Sequence, residues 1–172
     1  MRNLALLLLL SFGSFMAQSV DSKVPEPQSV GVIYLLDKSN QKLNPLPDEP
    51  FKVGHNNILE PPITGSLDVQ GLRSPFRLTD TKPEFVFKFG TPENAVLYMS
   101  ASKKNERRFI SIRLEKDNRF AKVPGVPIEI SSYGESSYKL VPSSPLLAGE
   151  YAITLEASPQ AVNRRLFTFG ID

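Results

Sequence analysis

Fifteen prolines are scattered through most of this chain, and all of them follow residue 24. Proline has no backbone N–H and clashes with the preceding turn of a helix, so it interrupts helices in their interior. Few stretches between the prolines have the apolar spacing and the length, about ten residues, of an ordinary helix. The sequence therefore predicts a fold of short strands, with proline, glycine and asparagine in the turns between them.

Apolar residues in these segments recur at every second position, which is the pattern of a strand with one buried face. Ile110, Ile112 and Leu114, for example, alternate with the polar residues Ser111 and Arg113. The segments that we interpret as strands, about nine in all, are Val30–Tyr34, Ile63–Gln70, Phe85–Phe89, Val96–Ala101, Arg108–Glu115, Ile128–Ser131, Ser137–Val141, Tyr151–Glu156 and Phe167–Ile171.

Regularly spaced strands with turn residues between them are typical of antiparallel sandwiches and barrels. We predict an all-β fold, an antiparallel β-sandwich that is immunoglobulin-like in general architecture, with a barrel as the alternative. In its first strand, Val30, Val32 and Tyr34 are predicted to share the buried face. Residues 29–172 are expected to form this one domain, after an extended N-terminal leader at residues 20–28.

Turn chemistry indicates how several of the strands are connected. Lys103–Glu106 and Ser132–Glu135 are predicted to be hairpin loops, because each is polar and joins two alternating segments. Thr91 followed by Pro92 predicts one helical turn before the next strand. Pro45–Pro62 lacks a clear pattern, and we expect a long loop with one short strand near Phe51.

The last part of the chain carries the most distinctive sequence. It contains Leu146, then Gly149-Glu150-Tyr151-Ala152, and it closes with Phe169-Gly170-Ile171-Asp172. The first element resembles the start of a late strand in immunoglobulin-like sandwiches, where a tyrosine packs at the corner. The paired ending resembles uncharacterised exported bacterial all-β proteins, over about 28 residues. This resemblance implies a fold and a compartment, but no activity and no site residues.

The N-terminus has the three parts of a secretory signal peptide. Arg2 is basic, Leu4–Leu10 is apolar, and small residues follow at Ala17 and Ser19. The apolar stretch is shorter than the roughly 20 residues that span a membrane. We therefore expect residues 1–19 to be a signal peptide cleaved after Ala17 or Ser19, with an uncleaved anchor as the alternative, and a secreted or periplasmic protein. No cysteine is present for lipid attachment.

Composition limits the partners that the exported part can have. Removing residues 1–19 from 172 leaves 153 residues with 19 basic and 18 acidic side chains. This near-neutral balance gives no electrostatic reason to expect nucleic acid, an anionic membrane or an acidic substrate. The chain has no cysteine, so the domain must be stabilised by its core without disulfides. Absent cysteines and absent glycosylation acceptors suggest a bacterial envelope protein.

Residues that could support catalysis are few. His55 is the single histidine, and with no cysteine it argues against a zinc site. Glu150 lies at a predicted corner, where anchoring a turn is the favoured interpretation. No Gly-x-Ser-x-Gly nucleophile motif follows the leader, and no phosphate-binding glycine loop is present. We predict no catalytic, cofactor-binding or metal-binding residues, and no cofactor.

The densest basic cluster is Lys103, Lys104, Arg107 and Arg108, at a predicted hairpin tip next to Phe109. Such a cluster can bind phosphate or nucleic acid, with the aromatic ring stacking on a base. A solvated hairpin tip is the favoured interpretation, because export separates the protein from nucleic acid. These four residues are therefore weak binding candidates only.

The function predicted from the sequence is an exported, non-enzymatic binding or structural-interaction module of the bacterial envelope. Its partner is expected to be another envelope or extracellular protein, which an unpaired strand edge would bind. Two alternatives remain open: a hydrolase that uses loop carboxylates with His55 or Glu150, and a barrel that carries a ligand in a cavity lined by Phe85, Phe87 and Phe89.

Overall fold

The structure is a computed structural model, and it describes residues 24–55, 63–90, 92–103, 105–114, 120–155 and 165–172. The predicted signal peptide at residues 1–19 lies outside these ranges. Among the described residues, no helix has the length and apolar character needed to cross a membrane.

The described residues form an all-β, sandwich-like fold of fourteen strands. One 3-10 turn, Pro92–Asn94, is the helical element among them. The strands are β1 (Ile33–Asp37), β2 (Lys42–Pro45), β3 (Lys52–His55), β4 (Ile63–Gln70), β5 (Arg77–Leu78), β6 (Phe85–Phe87), β7 (Ala95–Met99), β8 (Ala101–Lys103), β9 (Glu106–Leu114), β10 (Phe120–Lys122), β11 (Ile128–Tyr133), β12 (Ser137–Pro142), β13 (Gly149–Leu155) and β14 (Leu166–Ile171).

The strands are arranged in three sheets. The first sheet has the order β11-β12-β6-β1-β2, the central sheet β5-β14-β13-β7, and the third sheet β10-β9-β4-β3, with β8 also paired to β9. All pairs are antiparallel except β5 with β14, which are parallel. None of the three sheets closes on itself within the described residues, so they do not form the barrel that was the alternative prediction.

The main core lies between the first sheet and the central sheet. Phe85 and Phe87 of the first sheet pack against Tyr151, Phe167 and Phe169 of the central sheet, and all five side chains are buried. The ring centroids of Phe85 and Phe169 are 4.9 Å apart, and those of Tyr151 and Phe169 are 5.4 Å apart. Phe85 and Phe87 are two residues apart, as are Phe167 and Phe169, so each pair shares one face of its strand. Both pairs point into the same interior, as the period-two pattern predicts.

A smaller core lies on the other face of the central sheet. Ala152 and Leu166 pack there against Leu67, Val69 and Phe109 of the third sheet. The central strands are consequently buried on both faces, whereas their sequence predicted one exposed face. Small residues such as Ala152 on β13 make this second packing layer possible without a second row of large side chains.

All nine predicted strands are present, and five more accompany them. The additional strands β2, β3, β5, β8 and β10 have two to four residues each, which is too short for a periodic pattern. One of them, β3, is the short strand expected near Phe51. Both predicted hairpins are confirmed by the pairing of Lys103 with Glu106 and of Tyr133 with Ser137.

The prediction for the first strand is wrong in its details. Val30 is 67% exposed and precedes the strand, which begins at Ile33. Gly31 has a φ of +72°, a left-handed conformation that interrupts the alternation. Ile33 therefore enters the main core, and Tyr34 lies on the outer face of the first sheet.

The segment before β1 is attached to the first sheet by one side chain. The carboxylate of Glu26 accepts hydrogen bonds from the backbone N–H of Glu135, at 2.6 Å, and from the hydroxyl of Ser137. The hydrogen bond from Ser137 lowers the pKa of Glu26, so this carboxylate stays charged at neutral pH. Residues 24–28 are thereby held across the outer face of the first sheet.

Candidate functional site

Arg107, one of the four basic candidates, is a core residue with 1% of its surface exposed. Its guanidinium donates to Glu49 at 2.8 Å, to the hydroxyl of Thr168 at 3.1 Å and to the carbonyl of Gly71 at 3.1 Å. A buried guanidinium requires such partners, because an unpaired charge in the interior is very unfavourable. Arg107 therefore links the third sheet to the central sheet, and no part of it faces solvent as a hairpin-tip side chain would.

Arg108 also has a specific partner on its own sheet. It forms two hydrogen bonds with the carboxylate of Asp68, of 2.8 and 2.5 Å. The hydrogen bonds that Arg108 donates to Asp68 raise the pKa of Arg108. Lys104 and the side chain of Lys103 lie outside the described part of the structure. The two arginines are therefore engaged within the protein. The prediction of a solvated tip is wrong for them because strand pairing has already resumed at Lys103 and Glu106, before Arg107.

The residues of the C-terminal motif converge on Arg77 of β5. Its guanidinium bonds to Glu150, and to the side chain of Asp172 at 2.6 Å. A side chain on Gly170 would overlap that guanidinium, so glycine leaves the space that Arg77 occupies. The hydrogen bond from Arg77 lowers the pKa of Asp172. This motif thus fastens the parallel strand β5 to β13 and β14.

The second oxygen of Glu150 accepts a hydrogen bond from the backbone N–H of Ser74, at 2.7 Å. Both oxygens therefore bind structural partners, which agrees with the turn-anchoring interpretation of Glu150. His55 ends β3, where it pairs with Gly65, and its side chain lies outside what the structure describes. Within the described ranges, no three His, Cys, Asp or Glu side chains are grouped so as to hold a metal ion.

The first sheet ends at β11, whose outer edge is not paired with any other described strand. The backbone N–H of Ser143 donates to the carbonyl of Pro127. These two opposing residues are therefore a hydrogen-bonded pair, and this shows which residues of β11 bond to β12 and which do not. Because antiparallel pairs alternate, the N–H and C=O groups of Ile128, Ile130 and Ser132 point away from β12. This edge presents three donors and three acceptors to an added strand.

An apolar cleft of about 190 Å³ lies next to the start of β11. Its walls include Met99, Val126, Pro127 and Leu147, and Tyr151 lies at its base. Met99 and Leu147 are 46% and 73% exposed. Val126 connects the cleft to the central sheet, because its N–H donates to the carbonyl of Leu97 at 2.7 Å. We call this feature the corner cleft.

The wall of the corner cleft is held by Tyr151. Its hydroxyl donates to the carbonyl of Leu147, four residues upstream, at 2.8 Å. Its ring stacks on Phe169 in the main core. Burial raises the pKa of Tyr151, so the hydroxyl remains a donor. The tyrosine therefore fixes the turn that carries Leu147 relative to the core.

Replacing Tyr151 with phenylalanine is expected to lower the free energy of unfolding by about 1 kcal/mol, because one hydrogen bond is lost while the ring is kept. Urea denaturation measures this difference. A Tyr151→Phe protein as stable as the parent, with an unchanged turn at Leu147, would show that the hydroxyl does not hold the corner.

Sequence reasoning foresaw an open strand edge in general terms but did not identify the residues of the corner cleft. Leu147 follows Leu146 in a turn flanked by Pro145 and Gly149. Because two adjacent leucines in a turn cannot both enter the same core, this Leu-Leu pair indicates that one of the two side chains is exposed. Met99 carried no such signal, because its alternation with Leu97 suggests burial.

Comparison with known proteins gives no family for this chain and no function for the corner cleft. No protein-family description, no curated protein and no solved structure matches this chain.

Proposed function

We propose that this chain is an exported, non-enzymatic binding module that holds an extended segment of another envelope protein along the edge of β11. The observation that carries the proposal is the meeting of an open strand edge with the corner cleft. An added strand gains backbone hydrogen bonds from such an edge, and a neighbouring pocket for one side chain gives selectivity.

We further propose that the first and central sheets form an immunoglobulin-like sandwich, and the strand order supports this. Strands β11, β12, β6 and β1 follow the D-E-B-A order of one immunoglobulin sheet, and β14, β13 and β7 follow the G-F-C order of the other. The hydrogen bond of Tyr151 to an upstream carbonyl corresponds to the tyrosine corner near the start of strand F. The third sheet is then an addition to this framework, built from β3 and β4 and from β8 to β10.

The chemistry of the site indicates what the bound segment must contain. Its backbone must be extended to reach the outward groups of Ile128, Ile130 and Ser132. One apolar side chain of about the size of leucine or methionine fits the corner cleft, which has a volume of about 190 Å³. Glu129 is exposed on the outer face of β11, and it favours a basic residue at the opposing position.

A second copy of the chain fits this site less well. Antiparallel pairing of two β11 strands about Ile130 would bring Gly134 and Glu135 of one copy to the corner cleft of the other. Glycine has no side chain, and Glu135 is exposed and charged. The cleft would therefore be left unfilled, or would face a carboxylate that gains nothing from an apolar surface.

The hydrolase alternative has less support. It requires a pocket where Glu150 or His55 meets other acidic groups, whereas both oxygens of Glu150 bind Arg77 and Ser74. The proposal of envelope location rests on the predicted leader and on the resemblance of the C-terminal motif to exported bacterial proteins.

Site-specific photo-crosslinking in the cells that produce the protein tests the proposal. A photoreactive residue is placed at Leu147 or Met99 in the full chain, and a control is placed at Leu72, which is 50% exposed elsewhere on the surface. We expect the first two positions, and not the third, to give one discrete adduct with another protein. Substituting Ser132→Pro removes one outward N–H, and is expected to abolish that adduct.

Three outcomes would contradict the proposal. They are equal adducts from all three positions, adducts that persist in the Ser132→Pro protein, and adducts that contain only a second copy of the chain. Glu135→Pro in the β11–β12 turn is unsuitable as a control, because the backbone N–H of Glu135 donates to Glu26 and would be lost. Ser136→Ala, at an exposed turn position, serves instead and is expected to leave the adduct unchanged.

A further inference from the structure

A groove lies over the part of the first sheet that is remote from the β11 edge. It has a volume of about 720 Å³ and lies over the outer faces of β1 and β2. Residues 25–28 form one end, and the β1–β2 turn at residues 40–42 forms the other. Strands β12 and β6 separate Tyr34 of the groove from the β11 edge, and Glu26 at one end of the groove bonds to Glu135 and Ser137 at the β11–β12 turn.

The floor of the groove is apolar and includes an aromatic ring. Tyr34, Leu43 and Pro45 form it, and Tyr34 is neither buried in the core nor fully exposed. The pairing of Tyr34 with Val86 and with Pro45 fixes its side chain on the outer face. A half-exposed ring of this kind offers a flat surface on which an apolar ligand face can pack.

The rim of the groove is rich in side-chain amides. Gln28, Asn40 and Gln41 line it, and all three are exposed. Each amide combines one acceptor oxygen with a nitrogen that has two donor hydrogens. Asn40 accepts one hydrogen bond from the N–H of Lys42, and Gln41 donates one to the carbonyl of Lys38, which leaves the remaining donors and acceptors for a ligand. A hydroxyl group is also both donor and acceptor, so such a rim is suited to a ligand that carries several hydroxyls.

Charge argues for a neutral ligand. Glu26 and Lys42 are the charged side chains of the lining, and they oppose each other in sign. Glu26 stays ionised because the hydroxyl of Ser137 donates to it, so an anion would be repelled from that end. A strongly cationic ligand would meet Lys42 at the other end.

An extended peptide is disfavoured by the backbone of β2. The N–H of Leu46 donates to the carbonyl of Ile33. Because antiparallel pairs alternate, the backbone polar groups of Leu43 and Pro45 point away from β1, toward the unpaired edge of β2. Proline has no N–H, which leaves Leu43 as the outward donor within β2. The edge of β11 has three such donors, so a peptide strand has a better site there than here.

From these observations we propose that the groove over β1 and β2 binds a neutral saccharide, with one sugar ring on Tyr34 and its hydroxyls hydrogen-bonded to Asn40, Gln41 and Gln28. This inference does not depend on the proposed function of β11. It adds a second, small-molecule site, and the two sites are free to be occupied together because Tyr34 on β1 and the edge of β11 are separated by strands β12 and β6.

The test uses protein purified from cells that express the full chain, with N-acetylated chitotriose, cellotriose and maltotriose as neutral probes. Two-dimensional amide NMR maps the residues that respond, and calorimetry gives the affinity. We expect at least one trisaccharide to bind, with shifts confined to the groove. Tyr34→Ala is expected to weaken binding about tenfold, as loss of a ring contact worth about 1.4 kcal/mol does. Tyr34→Phe keeps the ring, and is expected to bind like the parent.

Asn40→Ala and Gln41→Ala provide the second line of evidence, because both residues are exposed. Each side chain also makes one hydrogen bond within the β1–β2 turn, so the amide spectrum of each variant must first show that this turn is unchanged. Each is expected to weaken binding by a few fold, about twofold to tenfold for a lost neutral hydrogen bond. No shift with any of the three sugars, shifts that centre on β11, or equal affinity in Tyr34→Ala and the parent would each overturn the proposal.

Discussion

Replacing Glu49 with alanine is expected to lower the free energy of unfolding by about 3–5 kcal/mol, since it leaves a buried charge without its counter-ion. The charge is that of Arg107, which is 1% exposed and lies 2.8 Å from the carboxylate of Glu49. The hydroxyl of Thr168 also donates to this carboxylate and would lose its acceptor. Urea denaturation followed by circular dichroism measures the change.

Two comparisons separate this effect from a general effect of removing a charge. Lys38→Ala deletes a charge that is about half exposed and pairs with Asp80 and Glu84; Glu84 keeps Lys139 as a partner. This change should cost no more than about 1 kcal/mol. In the double variant Glu49→Leu with Arg107→Met, the cost should be well below the sum of the single changes, because no buried charge remains. A loss below 1 kcal/mol for Glu49→Ala would mean that Arg107 is solvated.

Replacing Phe169 with alanine is expected to cost about 3–5 kcal/mol as well, but for a different reason. The Phe169 ring is buried and lies between those of Phe85 and Tyr151. Its removal loses the transfer free energy of a phenyl group and leaves a cavity between the first and central sheets. We expect Phe169→Leu to cost less, because it refills part of that space.

Leu147 provides the matched control for a deleted apolar side chain. It is 73% exposed, so Leu147→Ala should change the free energy of unfolding by no more than about 0.5 kcal/mol. Equal effects of Phe169→Ala and Leu147→Ala would contradict the assignment of the main core. Because Leu147→Ala spares stability, the same variant also isolates the role of the corner cleft in binding.

Much of the strand pattern was predictable because long alternating segments carry a clear period. Phe85 and Phe87, for example, were correctly predicted to share one face. Of the five additional strands, only β3 was expected, as a short strand near Phe51. The other four were not predictable, since two to four residues establish no period and their pairing depends on distant strands. Gly31 shifted the first strand, and this placed Tyr34 on the outer face, where the proposed saccharide site lies.

The fate of the basic cluster shows the limit of local sequence reasoning at the candidate sites. Arg107 and Arg108 are adjacent and chemically identical, yet one is in the core and the other lies on a sheet surface. Because adjacent residues of β9 point to opposite faces of the sheet, the two side chains enter different surroundings. Glu49 and Thr168, which are about 60 residues away on either side in the sequence, stabilise the buried guanidinium of Arg107. Only the tertiary pairing of these segments reveals the difference.

The C-terminal motif shows the opposite relation between sequence and structure. Its residues were distinctive in the sequence but suggested no activity, and Glu150 and Asp172 converge on the guanidinium of Arg77. Gly170 leaves space for Arg77, while Glu150 and Asp172 neutralise it. Such a motif preserves the attachment of β5 to the central sheet, so a resemblance based on it indicates fold more than activity.

Amide hydrogen exchange along β11 tests the docking surface most directly. In the isolated protein, the N–H groups of Ile128, Ile130 and Ser132 should exchange rapidly, whereas those of Glu129 and Ser131 should be protected by β12. A synthetic peptide with the sequence of the partner segment that cross-links to position 147 should slow exchange at Ile128, Ile130 and Ser132. It should leave the exchange rate of the Leu72 amide unchanged. Protection of Ile130 and Ser132 in the isolated protein, or no added protection with the peptide, would contradict the assignment of β11 as the binding edge.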